Sequence, residues 1–192
     1  MAPVILLLSI IGSALAFPNG PPVSTVPAIC TNMVPQHGVD PQDSELPYSL
    51  TTATECLTAG ETITLTLQST DDMEFNGTLL QSATGASWDA RSLIGTFVAS
   101  GDLSALDCSG GTANSLGHNT RLNVSSVNFQ WRAPDNLDAP VHFGGTVVRN
   151  AGTFWANTLM RTIEMCNASS VVKASASTFL LVAFALMKNF ML

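Results

Sequence analysis

The chain has 192 residues, a formal charge of −7 and four cysteines, and 46% of its residues are hydrophobic. That length accommodates one ordinary domain with a sizeable core and is short for two. Both lysines, Lys173 and Lys188, lie near the C-terminus, so between Phe17 and Asn167 five arginines stand against all fourteen acids, a balance of −9; without a basic patch, nucleic acid, heparin-like polyanions and anionic lipid surfaces are disfavoured as partners.

Residues 1–16 carry an apolar run, Val4 to Ile11, and then Ala14-Leu15-Ala16, a small-x-small site before Phe17. The pattern is that of a secretory signal peptide cleaved after Ala16, although it lacks a basic leading region. Export to an oxidising compartment makes two disulfides the expected fate of Cys30, Cys56, Cys108 and Cys166. None of these is spaced as CxxC, which removes support for zinc or redox use.

Phe17 to Ala28 holds Pro18, Pro21, Pro22 and Pro27 and reads as an extended lead-in. Cys30 to Gly38 has no periodicity, so its order is expected from the disulfide at Cys30 and burial of Met33. Leu46 to Thr52 is a first strand with Tyr48 and Leu50 on one face. In Glu61 to Gln68, Ile63, Leu65 and Leu67 alternate with Thr62, Thr64 and Thr66, the period of a half-buried strand. Phe75 to Ala83 and Leu93 to Ala99 continue the series, and Leu116 to Val124 leads into the next strand.

Ser126 to Pro134, SVNFQWRAP, is the organising strand: Val127, Phe129 and Trp131 alternate with Asn128, Gln130 and Arg132. An inward Trp131 marks the packed centre of a sandwich. Val141 to Val148 follows, with Gly144 and Gly145 signalling a bulge or close backbone approach. Thr153 to Ala156 and Leu159 to Cys166 close the domain. Short strands between Gly, Pro and Asp turns, with no helical period, predict an all-β antiparallel sandwich over residues 17–166.

Beyond Cys166 the composition changes. Residues 167–177 form a small and polar spacer, and residues 178–192 an apolar tail interrupted by Lys188. Fifteen residues in a helix span roughly 22 Å, short of the ~30 Å hydrocarbon core. The pattern instead matches a glycosylphosphatidylinositol (GPI) anchor signal, with Asn167 and Ala168 as attachment candidates; a short membrane segment and a plain secreted tail are the alternatives.

Several segments together resemble the reeler (reelin-type) domain: Cys30-Thr-Asn-Met-Val-Pro-Gln-His37-Gly38, Pro47-Tyr48, Gly60-Glu-Thr-Ile-Thr-Leu65, Phe75-Asn-Gly-Thr-Leu-Leu-Gln81, Gly95-Thr-Phe97, Cys108, His118 and Phe129-Gln-Trp-Arg-Ala-Pro134. Their order and spacing run from about Pro27 to Cys166. The resemblance implies an extracellular immunoglobulin-like sandwich, of the kind found in matrix proteins, in small secreted defence proteins of invertebrates and at the front of ferric-chelate-reductase-like membrane proteins. It also implies that Cys30 pairs with Cys108, leaving Cys56 for Cys166. The haem-binding and multi-helix domains of the reductase-like members have no counterpart in this sequence, so no redox chemistry is carried over.

No catalytic or metal site is expected. His37, His118 and His142 share no ligand spacing such as HxH or HxxxH, and a metal needs three or four converging ligands. His37 and His118 are read as structural hydrogen-bonding residues and His142 as solvent-facing. No GxSxG elbow is present, and Asp71-Asp72 and Asp135 to Asp138 read as turns. Asn76, Asn123 and Asn167 each begin an Asn-x-Ser/Thr sequon, the last competing with its use as an anchor site. Trp88, in a polar loop, is the surface candidate for carbohydrate or lipid, whereas Trp155 reads as core or groove lining.

The expectation is therefore a non-enzymatic, cofactor-free extracellular module, secreted or held at the outer cell surface. By the family resemblance it is expected to bind an extracellular protein, a glycan or a microbial surface in innate defence. The alternative is a GPI-anchored adhesion or matrix protein.

Overall fold

The computed structural model describes residues 19–166. The signal peptide, the cleavage site after Ala16, Asn167, Ala168, the spacer and the tail lie outside these residues.

Among the described residues ten strands form two antiparallel sheets: β1 (Tyr48–Thr51), β2 (Thr62–Ser69), β3 (Gly77–Thr84), β4 (Ser92–Leu93), β5 (Thr96–Val98), β6 (Leu103–Leu106), β7 (Ser115–His118), β8 (Ser126–Arg132), β9 (Val141–Asn150) and β10 (Thr153–Ile163). One sheet runs β1-β2-β8-β5; the other runs β10-β9-β3-β7-β6, with β4 also paired to β3. The expected all-β sandwich is what forms.

The first sheet follows the sequence pattern closely because one of its faces meets water. Ile63, Leu65 and Leu67 of β2 stand opposite Trp131, Phe129 and Val127 of β8, and all but the half-buried Val127 enter the core. On the outer face Thr66 donates from its hydroxyl to Asn128 Oδ1 at 2.7 Å. Trp131 is wholly buried and meets Phe143 of the opposite sheet edge to face, with ring centroids 5.0 Å apart. Such a pair contributes about 0.5–1.5 kcal/mol beyond area burial. Its indole N–H has no hydrogen-bond partner among the described residues.

Three local readings are revised. The segment 93–99 is two strands on different sheets: β4 pairs with β3 and β5 with β8. The chain changes sheet at Gly95, whose φ of +68° is open to glycine and whose missing side chain leaves room for the Trp131 indole. Leu103–Leu106, absent from the sequence reading, is a strand paired with β7. The last two segments are one strand, β10, with a register shift between Trp155 and Thr158 and Asn157 at φ +55°.

The second sheet is covered on both faces. Its inner face joins the main core, while Leu79, Ala83 and Trp88 pack with Ile29 and Met33 of the N-terminal segment in a second cluster. This is why seven of the eight residues of β3 are buried and why β3 lacks a clean alternation. Gly144 and Gly145 answer to close approach: a Cβ at Gly144 would stand 2.5 Å from Thr158 O and 2.8 Å from the Trp88 ring.

Candidate functional site: a cavity beneath the N-terminal strap

Residues 20–37 form a strap over the outer face of the second sheet. Pro22 O accepts from Thr25 N and Val26 N at 3.1 and 2.8 Å, turning the chain into a four-residue helix, α1 (Ile29–Asn32), which Met33 ends in the left-handed region at φ 56°. A helix end leaves carbonyls without partners, and those of the buried Cys30 and Met33 need side-chain donors. The sheet side supplies them. Gln81 Nε2 donates to Cys30 O at 2.9 Å, Arg91 Nη2 to Thr31 O at 2.8 Å, and Thr146 Oγ1 to Met33 O at 2.6 Å. Cys30 is also disulfide-bonded to Cys108, while Cys56–Cys166 closes the far end of the domain beside the Leu57–Met165 bridge.

Between strap and sheet lies a cavity of about 370 Å³. Ile29, Met33 and Pro35 line it from the strap, and Leu79 and Val148 from the sheet. Its polar liners include His37, His118, Arg121, Asn76, Asn150 and Gln36, with Thr78 and Thr146 deeper against the sheet. Arg121 and Asn150 are exposed and mark its open side, and Arg121 also lines a shallower neighbouring depression with Asp72, Glu74 and Arg149.

The two histidines that the sequence reading separates by eighty residues thus meet at one cavity. His37 is only 9% exposed, stands edge to face with Phe154 at 5.6 Å, and has a buried Nδ1. Burial holds its pKa below the ordinary value; the Ala151 backbone opposes this, and the nearby His118 adds to the depression. The ring is therefore neutral at pH 7. His118 Nδ1 lies 3.1 Å from both N and O of Thr78, so the ring has a backbone partner on that side in either tautomer.

Other candidates fall elsewhere. Trp88, expected at the surface, is 6% exposed: its Nε1 donates to Asn157 O and Oδ1 at 3.0 Å, and the Arg91 guanidinium stacks 4.3 Å from its ring centroid. A loop tryptophan surrounded by polar residues in sequence is buried here by the strap. Trp155 is core, with Nε1 donating to Ser44 O at 3.1 Å. His142 is half-buried, its ring nitrogens 2.8 Å from Thr162 Oγ1 and 3.2 Å from Gly85 O, so it is held rather than simply solvated. Asn76 is half-buried, with Nδ2 donating to Arg149 O at 2.6 Å, whereas Asn123 is exposed at φ 48°. Among the described residues no cluster of three or more His, Cys, Asp or Glu could hold a metal, and no helix is long and apolar enough to cross a membrane.

Thr146 and Arg121 carry no signal in the sequence, whereas Gly77 and Gln81 fall within the Phe75 to Gln81 segment of the family resemblance, where nothing marks them as contacts of a cavity or a strap.

The family model described as the Reeler domain matches residues 28–171. The chain belongs to the Reeler domain family. It is 32% identical over 154 residues to "Putative defense protein 3" of Antheraea mylitta, covering 79% of this chain and 88% of that protein. It is 32% identical over 151 residues to "Putative ferric-chelate reductase 1" of Danio rerio, covering 78% of this chain but 25% of that protein. The chain thus spans about a quarter of the length of that reductase-named relative. Among solved structures, the reeler domain of human F-spondin superposes with a TM-score of 0.51 at 14% identity, over 66% of this chain and 94% of that one, a likeness of fold. The Reeler match includes both sides of the cavity, from Ile29 on the strap to Val148 on β9.

Proposed function

We propose that this protein is a non-enzymatic extracellular binding module of innate defence, with the cavity beneath the strap as its recognition site. The observation that carries the proposal is the cavity itself: an apolar, ligand-sized hollow edged by a few polar groups is the usual form of a small-molecule site. The defence role is supported by relatives of similar length that bear defence-protein names. Two disulfides suit an oxidising, extracellular setting. Reductase activity is not transferred, because the similarity to the reductase-named relative covers a quarter of it.

The test is retention of the secreted protein on microbial surfaces and immobilised glycans, compared with a Val148→Trp variant that fills the cavity. Wild-type retention lost in the variant is expected. Equal retention would sink the cavity as the site, and unchanged microbial survival after knock-down would sink the defence role.

The composition of residues 167–192 supports a second reading, a GPI-anchored protein of the outer cell surface. Phosphatidylinositol-specific phospholipase should then release it from cells, and no release would remove that version.

A further inference from the structure

We infer that the cavity takes one single-chain anionic amphiphile, its hydrocarbon chain among Ile29, Met33, Leu79 and Val148 and its head group at Arg121. The inference rests on the cavity being the recognition site proposed above, and it names the ligand class.

Size sets the first limit. About 370 Å³ is near the lower end of small-molecule sites, enough for one alkyl chain and too little for a two-chain lipid. Wall chemistry sets the second: the strap and sheet present aliphatic side chains there, so the occupant's body is apolar.

Charge sets the third. The domain is strongly acidic, yet no Asp or Glu lines this cavity. Its permanent charge is the guanidinium of Arg121, at the exposed side, and both other titratable liners are histidines. A cationic head would meet only like or neutral groups. An anionic head meets a planar fork of donors suited to carboxylate or phosphate oxygens, with the exposed Asn150 at the same open side. Asp72 and Glu74 line the neighbouring depression and not the cavity, which disfavours an anion in the depression. An acidic protein that repels anionic membranes can in this way still accept one monomeric anion.

The experiment titrates the secreted protein, below micelle-forming concentrations, with dodecanoate, dodecyl phosphate and dodecan-1-ol. Binding is read by calorimetry, and its location by the methyl resonance of ¹³C-labelled Met33. Saturable 1:1 binding of at least one anion, with a shift at Met33, is expected; the tighter anion identifies carboxylate or phosphate as the head. Arg121→Gln, at an exposed position that leaves the fold intact, should weaken the anions about tenfold and leave dodecan-1-ol unchanged.

Dodecan-1-ol binding as tightly as both anions, or anion binding indifferent to Arg121→Gln, would overturn the anionic head. Failure of all three probes to shift Met33 would overturn the amphiphile. If microbial retention in the same preparation still depends on Val148, the cavity stands as the site and only this ligand class falls. If retention ignores Val148, the underlying reading falls with it.

Discussion

The backbone of Gly77 abuts the imidazole of His118 so closely that a Cβ at residue 77 would stand 2.7 Å from Cε1 of the ring. The cavity wall therefore depends on an absent side chain. Gly77→Ala forces the ring away from Thr78, and overpacking of this kind costs about 1–3 kcal/mol. Paired with His118→Ala, the glycine substitution should cost much less, giving a clear coupling energy in urea unfolding. Strictly additive costs would refute the contact.

Gln81 holds the strap from below. Its Nε2 bond to Cys30 O is buried, and Gln81→Leu leaves that carbonyl without its partner, a loss of about 1–3 kcal/mol. Hydrogen exchange should accelerate over residues 29–33 before it changes in β2 or β8. Uniform acceleration across both sheets would show that the strap does not open separately.

The two disulfides should fail differently. Cys30–Cys108 and Cys56–Cys166 link residues 78 and 110 apart in sequence, and each closes a loop worth about 4–5 kcal/mol in the chain-entropy model. Replacing Cys30 and Cys108 by Ser should expose Met33 and Trp88 and reduce ligand binding, read by tryptophan fluorescence and titration. Replacing Cys56 and Cys166 should lower the unfolding midpoint while leaving the cavity intact. Identical behaviour of the two variants would contradict the division.

Acid should weaken the fold through His37. Its folded-state pKa lies below the ordinary value of about 6.5, so below that pH the unfolded chain takes up a proton that the folded chain resists. The stability contributed by the buried neutral ring is complete above about 6.5 and is lost as pH falls from there towards the depressed folded pKa. Urea midpoints measured between pH 7.5 and 5 should fall, and His37→Phe should flatten the slope. An unchanged slope would place the acid sensitivity elsewhere.

Of the two sequons in the described residues, Asn123 is the one expected to carry glycan. Its side chain is exposed, whereas the Asn76 amide is tied to Arg149 O beside the buried Thr78. Peptide mapping of the secreted protein should find occupancy at Asn123 and little at Asn76, and the reverse would contradict the assignment.

The sequence by itself determined the sandwich and most of its strands, because β2 and β8 each keep one face in water. That exposure writes Ile63, Leu65 and Leu67 and then Phe129 and Trp131 into alternating positions that can be read without a partner. Family motifs likewise mark the domain from about Pro27 to Cys166. Tertiary structure alone decided what happens on the outer face of the second sheet. A proline-rich strap with no period of its own settles there, buries Trp88 and removes the alternation of β3 by covering both faces. The cavity it leaves collects His37, Gly77, His118, Arg121 and Thr146, residues whose proximity comes from strand order rather than spacing. Periodicity records which way a side chain faces; only packing of distant segments records what it faces.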